Sequence, residues 1–163
     1  MNHLRDQIIK SLKQHSEGSD SKDGMDVAVF VLDTKARQIE YAGANNPLYL
    51  LRNNELIETK GDKMPVAIYD IMHPFTKHTI SVQENDVLYI FSDGYADQFG
   101  GPKEKKFRYK PFKQLLIDNQ DKPMKEQKEI LEKTFEDWKS YLDDNGKSYE
   151  QIDDILLMGV RIR

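Results

Sequence analysis

Val87-Leu88-Tyr89-Ile90-Phe91-Ser92-Asp93-Gly94-Tyr95-Ala96-Asp97 is an apolar strand that runs into an acidic turn. Gln151-Ile152-Asp153-Asp154-Ile155-Leu156-Leu157-Met158-Gly159-Val160 is the converse, an acidic turn that runs into an apolar strand. A carboxylate beside a buried strand is costly, because desolvation disfavours its charge. Such residues are kept for capping, for turn formation or for binding a cation. Taken singly, Asp93-Gly94 reads as the turn out of a sheet, and Asp153-Asp154 as loop carboxylates facing water. Their joint presence predicts more. If the two strands are neighbours, Asp93 and Asp153 converge into an all-oxygen site suited to Mg²⁺ or Mn²⁺.

Working outward, Leu4, Ile8, Ile9 and Leu12 recur at helical spacing, which predicts an amphipathic opening helix. His15 to Lys22 is polar and reads as a loop. Asp26 to Asp33, rich in Val and Phe, reads as a buried strand. Gln38 to Ala42 and Leu48 to Arg52 read as strands joined by a turn at Gly43-Ala44-Asn45-Asn46-Pro47, where Asn tolerates the left-handed conformation and Pro fixes the exit. Asn53-Asn54 turns the chain into Leu56 to Thr59. Thr76 to Val82 and Asp86 to Phe91 follow, with Glu84-Asn85 as their turn. The spacing then predicts helices over Tyr109 to Ile117 and Lys125 to Tyr141, each with one apolar face (Phe112, Leu115, Leu116; Ile130, Leu131, Phe135, Trp138). A polar loop, Leu142 to Tyr149, leads to a last strand, Ile155 to Ile162. Short turns between strands imply antiparallel pairing, and helices on one face make the class α+β.

A chain of 163 residues suffices for one domain with a real core. Acidic residues exceed basic ones, 28 to 24, for a net charge of −4, so bulk charge gives no case for nucleic acid as partner. Cysteine is absent, which excludes disulfides and thiolate metal sites and fits a reducing cytoplasm. No apolar run is long enough to cross a bilayer, so no membrane role is expected of these residues.

Other chemistries fail on spacing. Aligning Gly146 with the glycine of a twelve-residue calcium loop puts Tyr141 and Ile152 at the first and last ligand positions, and aligning Gly24 puts Phe30 last. Neither arrangement binds calcium. His3, His15, His73 and His78 lack zinc-site spacing, and no phosphate-cradling loop occurs. Lys60 to Lys63 and Lys103 to Lys106 read as solvated loop charges. The second run is close in sequence to Asp93, where it could draw a phosphorylated partner.

The order of segments resembles the SpoIIE-like branch of the metal-dependent (PPM, type 2C) serine/threonine phosphatases. The resemblance rests on Lys22-Asp23-Gly24-Met25-Asp26-Val27-Ala28, then Tyr41-Ala42-Gly43-Ala44-Asn45-Asn46-Pro47-Leu48 and Asp62-Lys63-Met64-Pro65-Val66. Phe91-Ser92-Asp93-Gly94-Tyr95-Ala96-Asp97-Gln98-Phe99-Gly100-Gly101, the helix around Trp138, and Gln151-Ile152-Asp153-Asp154-Ile155-Leu156 continue it. It implies an antiparallel α/β/β/α sandwich with a centre of paired Mn²⁺ or Mg²⁺ ions that hydrolyses phosphoserine or phosphothreonine. It implies metal ligands at Asp93, with Gly94 beside it, and at Asp153, with Asp154 and Asp97 as neighbouring donors. The partner it implies is a phosphoprotein such as an anti-sigma-factor antagonist.

One family feature has no match here: an upstream aspartate followed by Gly-His-Gly, whose carboxylate bridges both metals. The expectation is a single truncated domain over residues 1–163 that lacks its N-terminal strands. Such a chain should bind one divalent ion weakly or none, hydrolyse poorly, and associate with itself through open sheet edges. The alternative is a non-catalytic interaction module or a fragment of a larger sensor-phosphatase.

Overall fold

The computed structural model describes residues 1–14, 23–142 and 146–163. The loop expected over His15 to Lys22 lies outside them, as does part of the loop expected over Leu142 to Tyr149. The chain forms two compact units, Met1–Tyr49 with Glu58–Glu84, and Leu50–Ile57 with Asn85–Arg163.

In the first unit, helix α1 (Asn2–Ser11) precedes strands β1 (Val27–Asp33) and β2 (Gln38–Ala44). These pair antiparallel from Val27 opposite Ala44 to Asp33 opposite Gln38. Their turn is set by the Asp33 carboxylate, which accepts the backbone N–H groups of Lys35 and Ala36 at 2.9 and 2.8 Å. Strand β5 (His78–Ser81) joins the far side of β2, giving the order β1-β2-β5. Ala44, Met64, Val66 and Phe75 form a core cluster, and Ile8 of α1 packs on it. Asn2 accepts the Phe75 N–H at 2.8 Å, and Arg5 donates to the His73 carbonyl at 2.9 Å, so polar side chains as well as Ile8 seat the helix.

The other sheet has the order β4-β3-β6-β9, formed by β3 (Leu48–Arg52), β4 (Glu55–Thr59), β6 (Val87–Phe91) and β9 (Leu157–Arg161). Asn53 and Asn54, at φ of 51° and 64°, make the tight β3–β4 turn. Strand β6 pairs antiparallel with β9 from Val87 opposite Arg161 to Phe91 opposite Leu157. A short helix α2 (Gly94–Asp97), a hairpin of β7 (Phe99–Gly100) and β8 (Lys105–Lys106), and helices α3 (Tyr109–Asp118) and α4 (Met124–Lys139) complete the second unit. Phe112 and Leu116 of α3 and Leu131 and Phe135 of α4 are buried. Tyr49, Leu50, Leu51, Leu88, Tyr89 and Phe91 are buried in the strands.

Three sequence expectations need correction. Strand β1 is not buried: it is an edge strand, and Val29 and Val31 are 43% and 64% exposed. The turn at Asn45-Asn46-Pro47 does not close a hairpin, since β2 and β3 belong to different sheets. Its backbone is held elsewhere: Asn45 donates to the Asp62 carbonyl at 2.8 Å, and the Asn46 carbonyl accepts from the Tyr41 hydroxyl at 2.5 Å. Glu84-Asn85 likewise joins strands of different sheets. The residue after it, Asp86, is buried and bound to Arg52 by two bonds of 2.9 and 2.6 Å.

Candidate metal site

Strand β6 stops at Phe91, and the next residue fastens it to the approach of β9. Ser92 N donates to the Leu156 carbonyl at 2.9 Å. The Ser92 hydroxyl donates to the Asp154 carbonyl and accepts from Leu156 N, both at 2.9 Å. Gly94 closes the contact. A methyl group on its Cα would lie 2.5 Å from the Asp154 carbonyl oxygen, so only glycine permits this approach. Asp93-Gly94 and Asp153-Asp154 thus lie against each other at one rim of the second unit.

Asp93 is exposed, with φ and ψ of −74° and −17°, and immediately precedes α2. Its side chain makes no capping hydrogen bond to that helix, while its carbonyl accepts from Asp97 N at 3.0 Å. Asp153 is exposed and accepts the Asp154 N–H on Oδ1 at 2.7 Å. Asp154, also exposed, enters the contact through its carbonyl. Asp97 stands at the end of α2 and accepts from Lys106 Nζ at 2.8 Å.

The mount beneath this rim is aromatic. Tyr95, buried in α2, donates its hydroxyl to the Leu131 carbonyl at 2.9 Å. Its ring lies 4.9 Å from Phe112, 5.3 Å from Phe135 and 5.4 Å from Phe107. Aromatic pairs at these separations add about 0.5–1.5 kcal/mol each beyond the area they bury. Burial pushes the Tyr95 phenol well above its ordinary pKa and that of Tyr89 up to about 12, although Arg161 opposes the second shift. Gln98, fully buried, donates from Nε2 to the carbonyls of Phe99 and Glu150, both at 2.9 Å, tying the approach of the second acidic turn to α2.

Ser92, the β7–β8 hairpin and the Asp97–Lys106 pair gave little sign of themselves in the sequence. Gly100-Gly101-Pro102 is a turn signal that marks the hairpin. The role of Ser92 depends on a partner 62 residues away. Among the described residues, no three His, Asp or Glu side chains are grouped to hold a metal ion. The donors at the rim are hard oxygens, which suit Mg²⁺ or Mn²⁺.

The Stage II sporulation protein E (SpoIIE) family profile matches residues 2–163. The chain belongs to this family. Among solved structures, the SpoIIE-family chain is similar to the SiaA-PP2C domain of Pseudomonas aeruginosa, with a TM-score of 0.77 and 23% identity over 99% of this chain and 67% of that one. It is similar to the phosphatase domain of the cell fate determinant SpoIIE from Bacillus subtilis, with a TM-score of 0.60 and 15% identity over 99% and 65% of the two chains. The RsbU and RsbW domains of a Mycobacterium tuberculosis protein match with a TM-score of 0.68 and 16% identity over 97% and 40%. Likeness at these identities is one of fold: mixed α+β with antiparallel sheets, as in PP2C phosphatase domains. The chain spans about two thirds of the SiaA and SpoIIE domains. Comparison with curated proteins gives no match. No helix among the described residues is long and apolar enough to cross a membrane.

Proposed function

We propose that this SpoIIE-family chain is part of a metal-dependent phosphatase that hydrolyses phosphoserine or phosphothreonine on a cytoplasmic signalling protein of the anti-sigma-factor-antagonist type. The observation that supports this reading is the contact between the two acidic turns through Ser92, Gly94 and Asp154. In the proposal Asp93 and Asp153 hold a divalent ion by carboxylate oxygens, Gly94 lets the turns close, and Asp154 and Asp97 stand beside them as further donors. Among the similar structures, the Bacillus subtilis SpoIIE domain was presoaked with Mn and RsbX is in complex with magnesium. We assign the same class of ion here. When bound, such an ion supplies Lewis-acid polarisation of a phosphoryl oxygen and lowers the pKa of water.

Turnover by these residues alone is proposed to be weak, because no Asp…Gly-His-Gly segment occurs in residues 1–163 to bridge a second ion. The test pairs calorimetric titration of Mn²⁺ with hydrolysis of a chromogenic phosphate ester. Weak binding of one ion, lost in Asp93→Asn and in Asp153→Asn, is the expected result. Unchanged binding in both variants overturns the site, and rapid turnover by the unmodified chain overturns the proposed impairment.

The Asp97–Lys106 pair favours a second reading, a non-catalytic module that binds a phosphoprotein, since it engages one rim carboxylate in an ion pair. In either case we infer that open edges recruit another copy. Strands β1 and β9 end their sheets, and Leu156 and Met158 at β9 are 61% and 48% exposed. Light scattering that finds only monomer at high concentration counts against this association.

A further inference from the structure

The positive charge of this acidic chain is unevenly placed. Lys103, Lys105, Lys106, Arg108, Lys110 and Lys113 crowd into one short segment with a single carboxylate, Glu104, while the chain as a whole carries −4. Elsewhere in the same unit, lysines are neutralised along α4 and just before it: Lys122, Lys125, Lys128 and Lys133 each face an acid four residues on, and Lys139 faces Glu136. The segment beginning at Lys103 is different. Lys103, Lys105, Arg108 and Lys110 are exposed and have no ion pair among the described residues. Glu104 accepts from the Tyr149 hydroxyl at 3.4 Å.

This basic arm is firmly anchored rather than a loose loop. Gly101 N donates to the Trp138 carbonyl at 2.9 Å, and Trp138 Nε1 donates to the Gln98 carbonyl at 3.1 Å. Phe107 is buried edge-on against Trp138, at 5.2 Å between ring centroids. Phe99 stacks on Tyr149 at 6.1 Å, with Lys106 over its ring. A surface held this way loses little freedom when it binds.

The arm also begins at the candidate site. Lys106 pairs with Asp97, and Arg108 N donates to the Ala96 carbonyl at 2.6 Å. Arg108 sits at φ 72°, ψ 157°, a conformation that is strained for any residue bearing a side chain. Glycine would avoid that strain, yet the position holds a cation. Helix α3 follows with Lys110 and no acidic residue in its first turn, so side chains and helix dipole add positive potential in the same place.

We propose that this arm, Lys103 to Lys110, is the docking surface for an acidic stretch flanking the phosphorylated residue of the protein substrate. The inference rests on the phosphatase reading and specifies what that site recognises beyond the phosphoryl group. Complementary charge of this kind raises encounter rate and selects among partners carrying the same phosphoester.

The test uses the whole chain bearing Asp153→Asn, in chelator, so that neither metal binding nor turnover enters the measurement. Fluorescence anisotropy follows a labelled phosphoserine peptide flanked by aspartates, and the same peptide with neutral flanks. The acidic-flanked peptide should bind about tenfold more tightly at low salt, and the preference should shrink at about 1 M salt, where the screening length is about 3 Å. Lys103→Glu with Lys105→Glu should abolish the preference. Lys103→Gln with Lys110→Gln should reduce it, and a melting curve on each variant checks folding. Equal binding of the two peptides overturns the proposal, as does a preference that survives both variants. Binding to anionic vesicles or to single-stranded RNA with no peptide preference also overturns it, in favour of those partners. Mn²⁺ binding left unchanged by Asp93→Asn and by Asp153→Asn counts against the phosphatase site, while loss of the charge preference counts against the docking arm, so the two failures are distinguishable.

Discussion

The Ser92 hydroxyl bonds twice to the segment that carries the second acidic turn, to the Asp154 carbonyl and to Leu156 N, each at 2.9 Å. One small side chain therefore sets the spacing of the two acidic turns by reaching a partner 62 residues away. Ser92→Ala removes both bonds. It should cost about 0.5–1.5 kcal/mol per bond and weaken divalent-ion binding, read by denaturant unfolding and calorimetry.

Gly94→Ala should be the more damaging change. Its new Cβ would meet the Asp154 backbone oxygen at 2.5 Å, and backbone gives way less readily than a flexible side chain. Overpacking of this sort costs about 1–3 kcal/mol. A variant that melts as the parent does and binds Mn²⁺ equally well would show that the turns do not need this approach.

Arg52 and Asp86 make a test independent of the acidic rim. Asp86 is 2% exposed, and Arg52 reaches it with two hydrogen bonds. Removing one member of a buried pair leaves an uncompensated charge, a loss of about 3–5 kcal/mol. Arg52→Ala should fall in that range. Replacing both residues with apolar ones of similar volume should recover much of the loss.

Alkaline pH supplies a further prediction. Burial raises the pKa of Tyr89 from 10 to about 12, so above pH 10 the folded chain retains a proton that the unfolded chain releases. The stabilisation is complete below pH 10 and is lost as pH rises toward 12; Tyr41 and Tyr95, also raised by burial, act in the same direction. Tyr89→Phe should flatten part of that decline in urea titrations. At neutral pH it should cost about 1–3 kcal/mol, because the Gln127 oxygen that accepts the Tyr89 hydroxyl loses its partner.

The sequence carried the elements well where one periodicity ruled. Ile8 and Leu12 marked α1, and Phe112, Leu116, Leu131 and Phe135 marked the two long helices that follow α2. The sequence left the neighbourhood of the two acidic strand ends as a condition, and the pairing of β6 with β9 meets it. Sheet membership was less legible. A short connection at Asn45 or Asn85 looks alike whether it closes a hairpin or carries the chain into another sheet, and only distant partners such as Asp62 and Arg52 tell the two apart. Strand β1 misled for a related reason: Val29 and Val31 have the composition of a buried strand, but burial depends on what stands beside an edge. Lys106 was visible as charge. Its pairing with Asp97 needed the hairpin to fold it back.

The register of β6 with β9 has a consequence for synthesis. Strand β6 lies between β3 and β9, so until β9 has left the ribosome the nascent chain holds β6 with one hydrogen-bonding edge bare. Everything from α2 to α4 is translated during that interval. A stalled or prematurely released polypeptide would carry the Asp93 turn without the turn that faces it, together with an exposed strand on which chaperones or a neighbouring nascent chain could act.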